Sequence, residues 1–392
     1  MSDRKKILFI ARWYPDRHDI MLGLFVQKHA QAVQALHDVS VLYVTADSSL
    51  EPGLIITNEV EFEGIREYRI YFGKHKSELY NAVAYAKWYL KGLSLVRKNS
   101  GLPDLVHVHI LSRTAFPAIW LKITKGIPYI ITEHWSRYLP ANVAKGAYSG
   151  WLRRFFTKRA VAMAEGVTTV TQNLASAMQN LGLRNTYHIT PNVADVHDFK
   201  PLENYGTEPM KKLVHVSCFD EPAKNIKGII NAVQKIAPLR DDFYLEIIGD
   251  GKDFESIREY AKKTGLVNSR IRFTGLLTGE ILSKKMREAN AFVMFSNYEN
   301  LPCTIVESLC SGVPVISTDV GGIREHVKSE FGMLMNPGDE NALISAINNV
   351  LDHPEKFDKV RMRTYAVQQF SMESIGKLFN EIYLKYGIKK KF

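Results

Sequence analysis

The chain has 392 residues, 46% hydrophobic and 23% charged, and its 51 lysines and arginines exceed 41 acidic residues to give a formal charge of +10. This length suits two domains of somewhat under about 200 residues each, and the composition is that of a globular protein, excluding fibrous, low-complexity and solenoid classes. Cys218, Cys303 and Cys310 lack Cys-x-x-Cys spacing, which argues against a disulfide framework or zinc site and fits a reducing cytoplasm, and no run approaches the ~18 apolar residues of a membrane span.

At the N-terminus, basic residues precede a short apolar run that ends before Arg12. The run is too short for a signal core and reads as a first strand over residues 6–11. Gly23 follows, between this strand and the first helix, where a missing side chain permits close backbone approach to a phosphate. The dinucleotide fingerprint Gly-x-Gly-x-x-Gly is absent there, which weakens a dehydrogenase reading. Further strands at 39–45, 105–110, 127–131, 166–170 and 186–190 alternate with helical segments, the pattern of a parallel sheet covered on both faces. His107 and His109 share one strand face. A metal pair there would want an Asp, Glu or Cys partner at suitable spacing, and none is legible, so no metal is expected.

Charge is uneven: residues 1–200 hold 25 basic against 16 acidic side chains, and residues 201–392 hold 26 against 25. The basic residues interleave with aromatics, first over Tyr85, Lys87, Trp88, Tyr89 and Lys91, then over Tyr148, Trp151, Arg153, Arg154, Phe155, Phe156, Lys158 and Arg159. Two readings stand side by side. The rings lie at headgroup depth on an anionic membrane, or they fill the core of amphipathic helices whose cations face water. No single basic tract or binding module supports nucleic acid as a partner.

Residues 191–209 are turn-rich and read as the interdomain connection. The strand pattern then restarts at 212–217, 244–249, 270–274, 291–295 and 313–317, with a helix over 253–265. The expected domains are 1–195 and 205–372, with a last helical segment over 371–386. A cleft between two such α/β units is the default place for a ligand. Between the strands 291–295 and 313–317 lies the most informative stretch, with Glu299 and Glu307 separated by seven residues. Pro302 suits the first helical position and Gly312 the left-handed residue past the helix end, so Glu299 precedes the helix and Glu307 lies inside it. Amides of the first turn, around Asn300 and Leu301, favour an anion such as a diphosphate. Phosphate and hydroxyl recognition together suggest a sugar nucleotide.

Glu299, seven residues, Glu307, then Gly312-x-Pro314-Val315 and Gly321-Gly322-x-x-Glu325 resembles the retaining glycosyltransferases of family 4. The likeness runs over nearly the whole chain. It adds the strand ending His107-x-His109 and the turn Thr132-x-His134. It implies an α/β fold of GT-B type, in which two Rossmann-like doubly wound parallel-sheet domains face across a cleft and a final helix, about 373–392, packs back on the first domain. In that family the residue at Glu307 holds the donor ribose and that at Glu299 contacts the donor sugar. By the same analogy His134 touches the sugar or leaving group, His109 shapes the pocket, Gly23 approaches the donor, and Lys224 holds the diphosphate, with Lys227 as the alternative lysine. The chain departs from the family twice. Gly23 stands alone between Leu22 and Leu24, and Cys218 occupies the place of a diphosphate-binding arginine. A thiol cannot replace a guanidinium fork, so Arg12, Arg324 or the helix amides would carry that load.

The resemblance thus implies a metal-independent retaining transferase needing no cofactor. It would move a sugar from a UDP- or GDP-linked donor to a glycan or lipid-linked acceptor in surface polysaccharide synthesis. Its place would be cytoplasmic, with any attachment peripheral at the inner membrane face through the basic first domain. A sugar-nucleotide binder without turnover and a GT-B epimerase are the competing readings.

Overall fold

The structure, a computed structural model, describes residues 4–202 and 210–386. The end of the expected connection, 203–209, and of the expected last helix, beyond 386, lie outside the described residues. One compact unit comprises Met1–Val193 with Met372–Phe392, and a second comprises Ala194–Ser371.

The first unit is built on eight strands: β1 (Lys6–Ala11), β2 (Asp38–Asp47), β3 (Ile55–Phe62), β4 (Ile65–Gly73), β5 (Leu105–His109), β6 (Tyr129–Glu133), β7 (Val167–Thr169) and β8 (Tyr187–Ile189). Their order is β3-β4-β2-β1-β5-β6-β7-β8. Every neighbouring pair is parallel except β3–β4, which is antiparallel. Alternation along β1 supplies both cores. Leu8 and Ile10 face one apolar cluster, while Ile7, Phe9 and Ala11 face the other, so a strand buried on both sides reads as an unbroken apolar run. The helix Met372–Tyr386 closes the second cluster with Ile375, Phe379 and Tyr383. Its Gly376 lies so close to the helix Leu24–Gln34 that an added Cβ would stand 2.4 Å from the Ala32 carbonyl oxygen.

The second unit carries a fully parallel sheet of β9 (Lys211–Val216), β10 (Phe243–Ile248), β11 (Ile271–Gly275), β12 (Ala291–Met294), β13 (Val315–Thr318) and β14 (Gly332–Met335). The order is β11-β10-β9-β12-β13-β14. In each sheet the chain builds outward from a central strand and then returns to that strand's other side. The reversal lies between β1 and β5 in one unit and between β9 and β12 in the other, and ligands of open α/β sheets bind beyond the carboxyl ends of such strand pairs.

The hairpin β3–β4 and the strand β14 are absent from the sequence expectations. β3 is exposed at nearly every position, so it lacks the buried face that would mark it, and β14 has four residues, only two of them buried.

Candidate functional site

In the second unit, the segment after β9 and the segment after β12 meet at the reversal point. After β9 a single helical turn, Glu221–Lys224, ends on Asn225 in the left-handed region at φ 48°. Glu221 then accepts the Ile226 amide at 2.9 Å, which fixes where the next helix starts and where Lys224 points. After β12, the Asn297 amide bonds the Ala223 carbonyl at 2.8 Å and its side-chain amide donates to the Pro222 carbonyl at 3.1 Å. These ties bring Lys224 Nζ to 2.5 Å from Glu299 Oε1, which also accepts the Ser296 hydroxyl at 2.8 Å. Burial alone would pull the Lys224 ammonium down. Glu299, Cys218 and Asp220 outweigh burial and hold it protonated above the ordinary lysine range.

Two glycine turns press on this site from either side. Gly321, at φ +61°, packs so that a Cβ would lie 2.3 Å from the Glu299 carbonyl oxygen, and the Gly322 amide bonds the Asn300 carbonyl at 3.0 Å. Gly249 and Gly251 press likewise on Ser217 and Phe219, where a Cβ on Gly249 would fall 1.9 Å from the Ser217 carbonyl oxygen. Both loops are therefore set by backbone contact that only glycine allows.

Glu299, Asn300, Leu301 and Glu307 are all buried. The motif helix spans Cys303–Cys310, with Gly312 left-handed at φ +65° just beyond it. Pro302 is a correction: at ψ 128° it is the extended residue before the helix, not its first helical residue. Its ring fixes φ alike in both positions, and only ψ, which the sequence does not give, separates them. Glu299 still precedes the helix and Glu307 lies within it.

Cys218 is exposed. Of the substitutes considered for an arginine there, Arg324 is exposed and bonded to Asp319, and Arg12 belongs to the first unit, 4.9 Å over the Trp135 ring. Sequence reasoning missed Lys252. It follows the Gly249–Gly251 turn and reaches Asp220 Oδ1 at 2.9 Å, and both it and Lys224 act on Tyr298. A lysine directly after a Gly-x-Gly turn was the available signal.

In the first unit, Gly23 opens the helix Leu24–Gln34 at φ +66°, and a Cβ there would stand 2.3 Å from the Trp13 carbonyl. Its close approach is to Trp13 and Tyr14. His109, ending β5, and His134, just past β6, lie with Nδ1 and Nε2 at 3.3 Å. His29 Nε2 is 3.0 Å from the Pro191 carbonyl, and one ligand atom from each of His29, His109 and His134 falls within 4.8 Å of the others. Among the described residues, these three imidazoles are the group that could hold a metal. His107 instead bonds the Tyr383 hydroxyl and Thr132. Burial drives His29 down to about 4 and His107, His109 and His134 well below their ordinary value, so all four are neutral at pH 7. Ending β6, the buried Glu133 accepts the amides of Leu111, His134 and Trp135 at 2.9–3.0 Å. Burial raises its carboxyl to about 7 against the pull of those amides.

Two family models match the chain. Residues 203–367 match "Glycosyl transferases group 1" and residues 22–192 match "Glycosyl transferase 4-like domain". A Bacillus subtilis protein assigned to teichuronic acid biosynthesis as glycosyltransferase TuaC is 25% identical over 362 residues, 87% of this chain and 88% of its own. The structure is similar to sucrose-phosphate synthase from Thermosynechococcus elongatus, with a TM-score of 0.80 at 19% identity over 97% of this chain and 99% of that one. It is also similar to Anabaena HepE in complex with UDP and glucose, with a TM-score of 0.74 at 18% identity over 97% and 100% of the two chains.

Proposed function

Since the chain belongs to the group 1 glycosyltransferases, of family 4 type and GT-B fold, we propose that it transfers a sugar, with retention, from a nucleoside-diphosphate donor to a glycan or lipid-linked acceptor of a surface polysaccharide. The observation that carries the donor half is the largely buried Lys224–Glu299 pair, with side chains 14% and 10% exposed, at the reversal point of the second sheet beside the motif helix that holds Glu307. Breaking the bond from anomeric carbon to diphosphate develops negative charge on the leaving phosphate, and a fixed cation aimed at that charge lowers the barrier. Lys224 supplies it, with Lys252 as the second cation in place of the arginine missing at Cys218. Glu307 takes the ribose hydroxyls, and Glu299 receives the sugar once Lys224 turns to phosphate. Asn300 and Leu301 place backbone amides by the diphosphate.

In the first unit we assign His134 a contact with the donor sugar as a neutral imidazole, His109 its orientation through the 3.3 Å contact, and Gly23 the approach of the first helix to the donor. HepE's complex with UDP and glucose supports a UDP donor, and the teichuronic acid relative supports a surface polymer. The exposed aromatics Trp151, Phe155 and Phe156 beside Arg153, Arg154 and Lys158 support peripheral attachment to an anionic membrane, the cytoplasmic face being the side where nucleotide sugars lie. No helix among the described residues is long and apolar enough to cross a membrane.

The test is incubation with UDP- and GDP-sugars and a panel of lipid-linked and free glycans, with the product anomer read by NMR. Transfer with the donor's anomeric configuration supports the reading. Tight donor binding without turnover, or an epimerised donor without acceptor, overturns it. Chelator should leave the rate unchanged; a loss restored by zinc would reassign His29, His109 and His134 as metal ligands.

A further inference from the structure

A cavity of about 870 Å³ lies wholly within the first unit, between the helices Ala115–Lys125 and Trp151–Met163 and the loops after β1, β5 and β6. Five arginines line it: Arg12, Arg113, Arg137, Arg153 and Arg159. No carboxylate does, and none of the five makes an ion pair among the described residues. The local sequence is as lopsided, since residues 111–164 contain nine lysines and arginines and a single acid, Glu133, whose carboxylate is turned to three backbone amides.

The cations are held by aromatic faces. Arg12 and Arg137 sit 4.9 and 4.2 Å over the Trp135 ring, and Arg113 sits 3.5 Å over Tyr85. Arg137 is buried, and Nε of both Arg12 and Arg137 is buried without a hydrogen-bond partner. Burial, then Arg113 and Arg137, depress the Arg12 guanidinium. Arg12 and Arg137, held at this cost with buried donors unfilled and joined by the exposed Arg113, Arg153 and Arg159, describe an anion site. Apart from Ser112 and Thr157, the rest of the lining is apolar, chiefly Leu111, Phe116, Ile119, Phe155, Phe156 and Met163. Phe155 and Phe156 are 51% and 64% exposed, so the cavity opens through the same aromatic rim that supports membrane attachment.

We propose that this cavity binds the phosphate head and first hydrocarbon units of the lipid-linked acceptor, the arginines taking the phosphate and the apolar wall the chain. The proposal rests on the transferase reading in naming that lipid as acceptor. A nucleotide fits poorly, because no acidic side chain is present to take ribose hydroxyls.

The test is calorimetric titration of the full-length protein with farnesyl diphosphate, a short soluble lipid diphosphate, beside pyrophosphate and farnesol. Saturable one-to-one binding is expected, at least about tenfold tighter than for pyrophosphate or farnesol. It should weaken about tenfold in Arg113→Gln and in Arg153→Gln, both exposed and so free of folding risk, and weaken in Phe156→Ser, while UDP binding stays unchanged in all three. Equal affinity for pyrophosphate, no effect of these substitutions, displacement by UDP, or displacement by phosphatidylglycerol vesicles as effective as by the probe overturns the proposal. The donor reading is judged separately, by nucleotide binding in Glu307→Ala. A failure there leaves the farnesyl diphosphate isotherm standing, and a failure of that isotherm leaves nucleotide binding intact.

Discussion

Lys224 and Glu299 are each other's counter-ion in the described state, with side chains 14% and 10% exposed. Removing one partner of a buried pair leaves the other uncompensated, at about 3–5 kcal/mol. Lys224→Ala should therefore lower the melting temperature as well as abolish transfer, whereas Lys224→Ala in the background of Glu299→Gln should recover stability without activity. Thermal denaturation of the three variants checks this, and independent, additive losses would show that the pair does not act as one. Lys252 is a different case. It is 66% exposed and pairs only with Asp220 among the described residues, so Lys252→Ala should leave the melting temperature unchanged while weakening UDP about tenfold and uridine not at all. Equal effects on uridine and UDP would remove it from the diphosphate.

At the scale of elements, the turn Gly321–Gly322 fixes the Glu299 loop from behind. Gly321→Ala meets both a positive φ and a carbonyl oxygen 2.3 Å away, whereas Gly265 has a similar φ of +72° and open space. Gly265→Ala should cost about 1 kcal/mol from φ alone. Gly321→Ala should cost clearly more and also raise the donor KM; comparable stabilities in urea would show that the crowding is relieved elsewhere. Such turns also explain what could be read in advance. β1, β5, β9, β10 and β12 announced themselves because both faces are buried and their apolar runs are unbroken, and the Glu299–Glu307 spacing survived because it depends on a helix bounded by a proline and a glycine. The exposed edge β3 offered no such run. Lys252 went unseen because its relation to Asp220 is made by folding across 32 residues of sequence, and the cluster of His29 with His109 and His134 joins a helix to two strand ends that no spacing connects.

Across the whole molecule, buried neutral histidines set the response to acid. His29, His215 and His326 are lowered to about 4, and His107, His109 and His134 fall well below 6.5, all by burial first. Between those values and 6.5 the unfolded chain binds more protons than the folded one, so stability falls as pH falls through that window, by up to about 1.4 kcal/mol per pH unit for each histidine. Glu133 has the opposite sign. It keeps its proton up to about 7 when folded, so it adds stability as pH falls from 7 toward the ordinary carboxyl range. Six histidines against two raised carboxyls, Glu133 and Glu221, predict a melting temperature that drops from pH 7 to pH 5. His326→Gln should flatten part of that slope, and a melting temperature that rises toward pH 5 would contradict the assignment.

A single titration bears most directly on the donor site. The full-length protein and its Glu307→Ala variant are titrated calorimetrically with a panel of nucleoside diphosphates. A donor held at the motif helix requires saturable binding of at least one of them, weakened about tenfold or more in the variant at unchanged melting temperature. The same affinity in both proteins would place the nucleotide elsewhere and contradict the account.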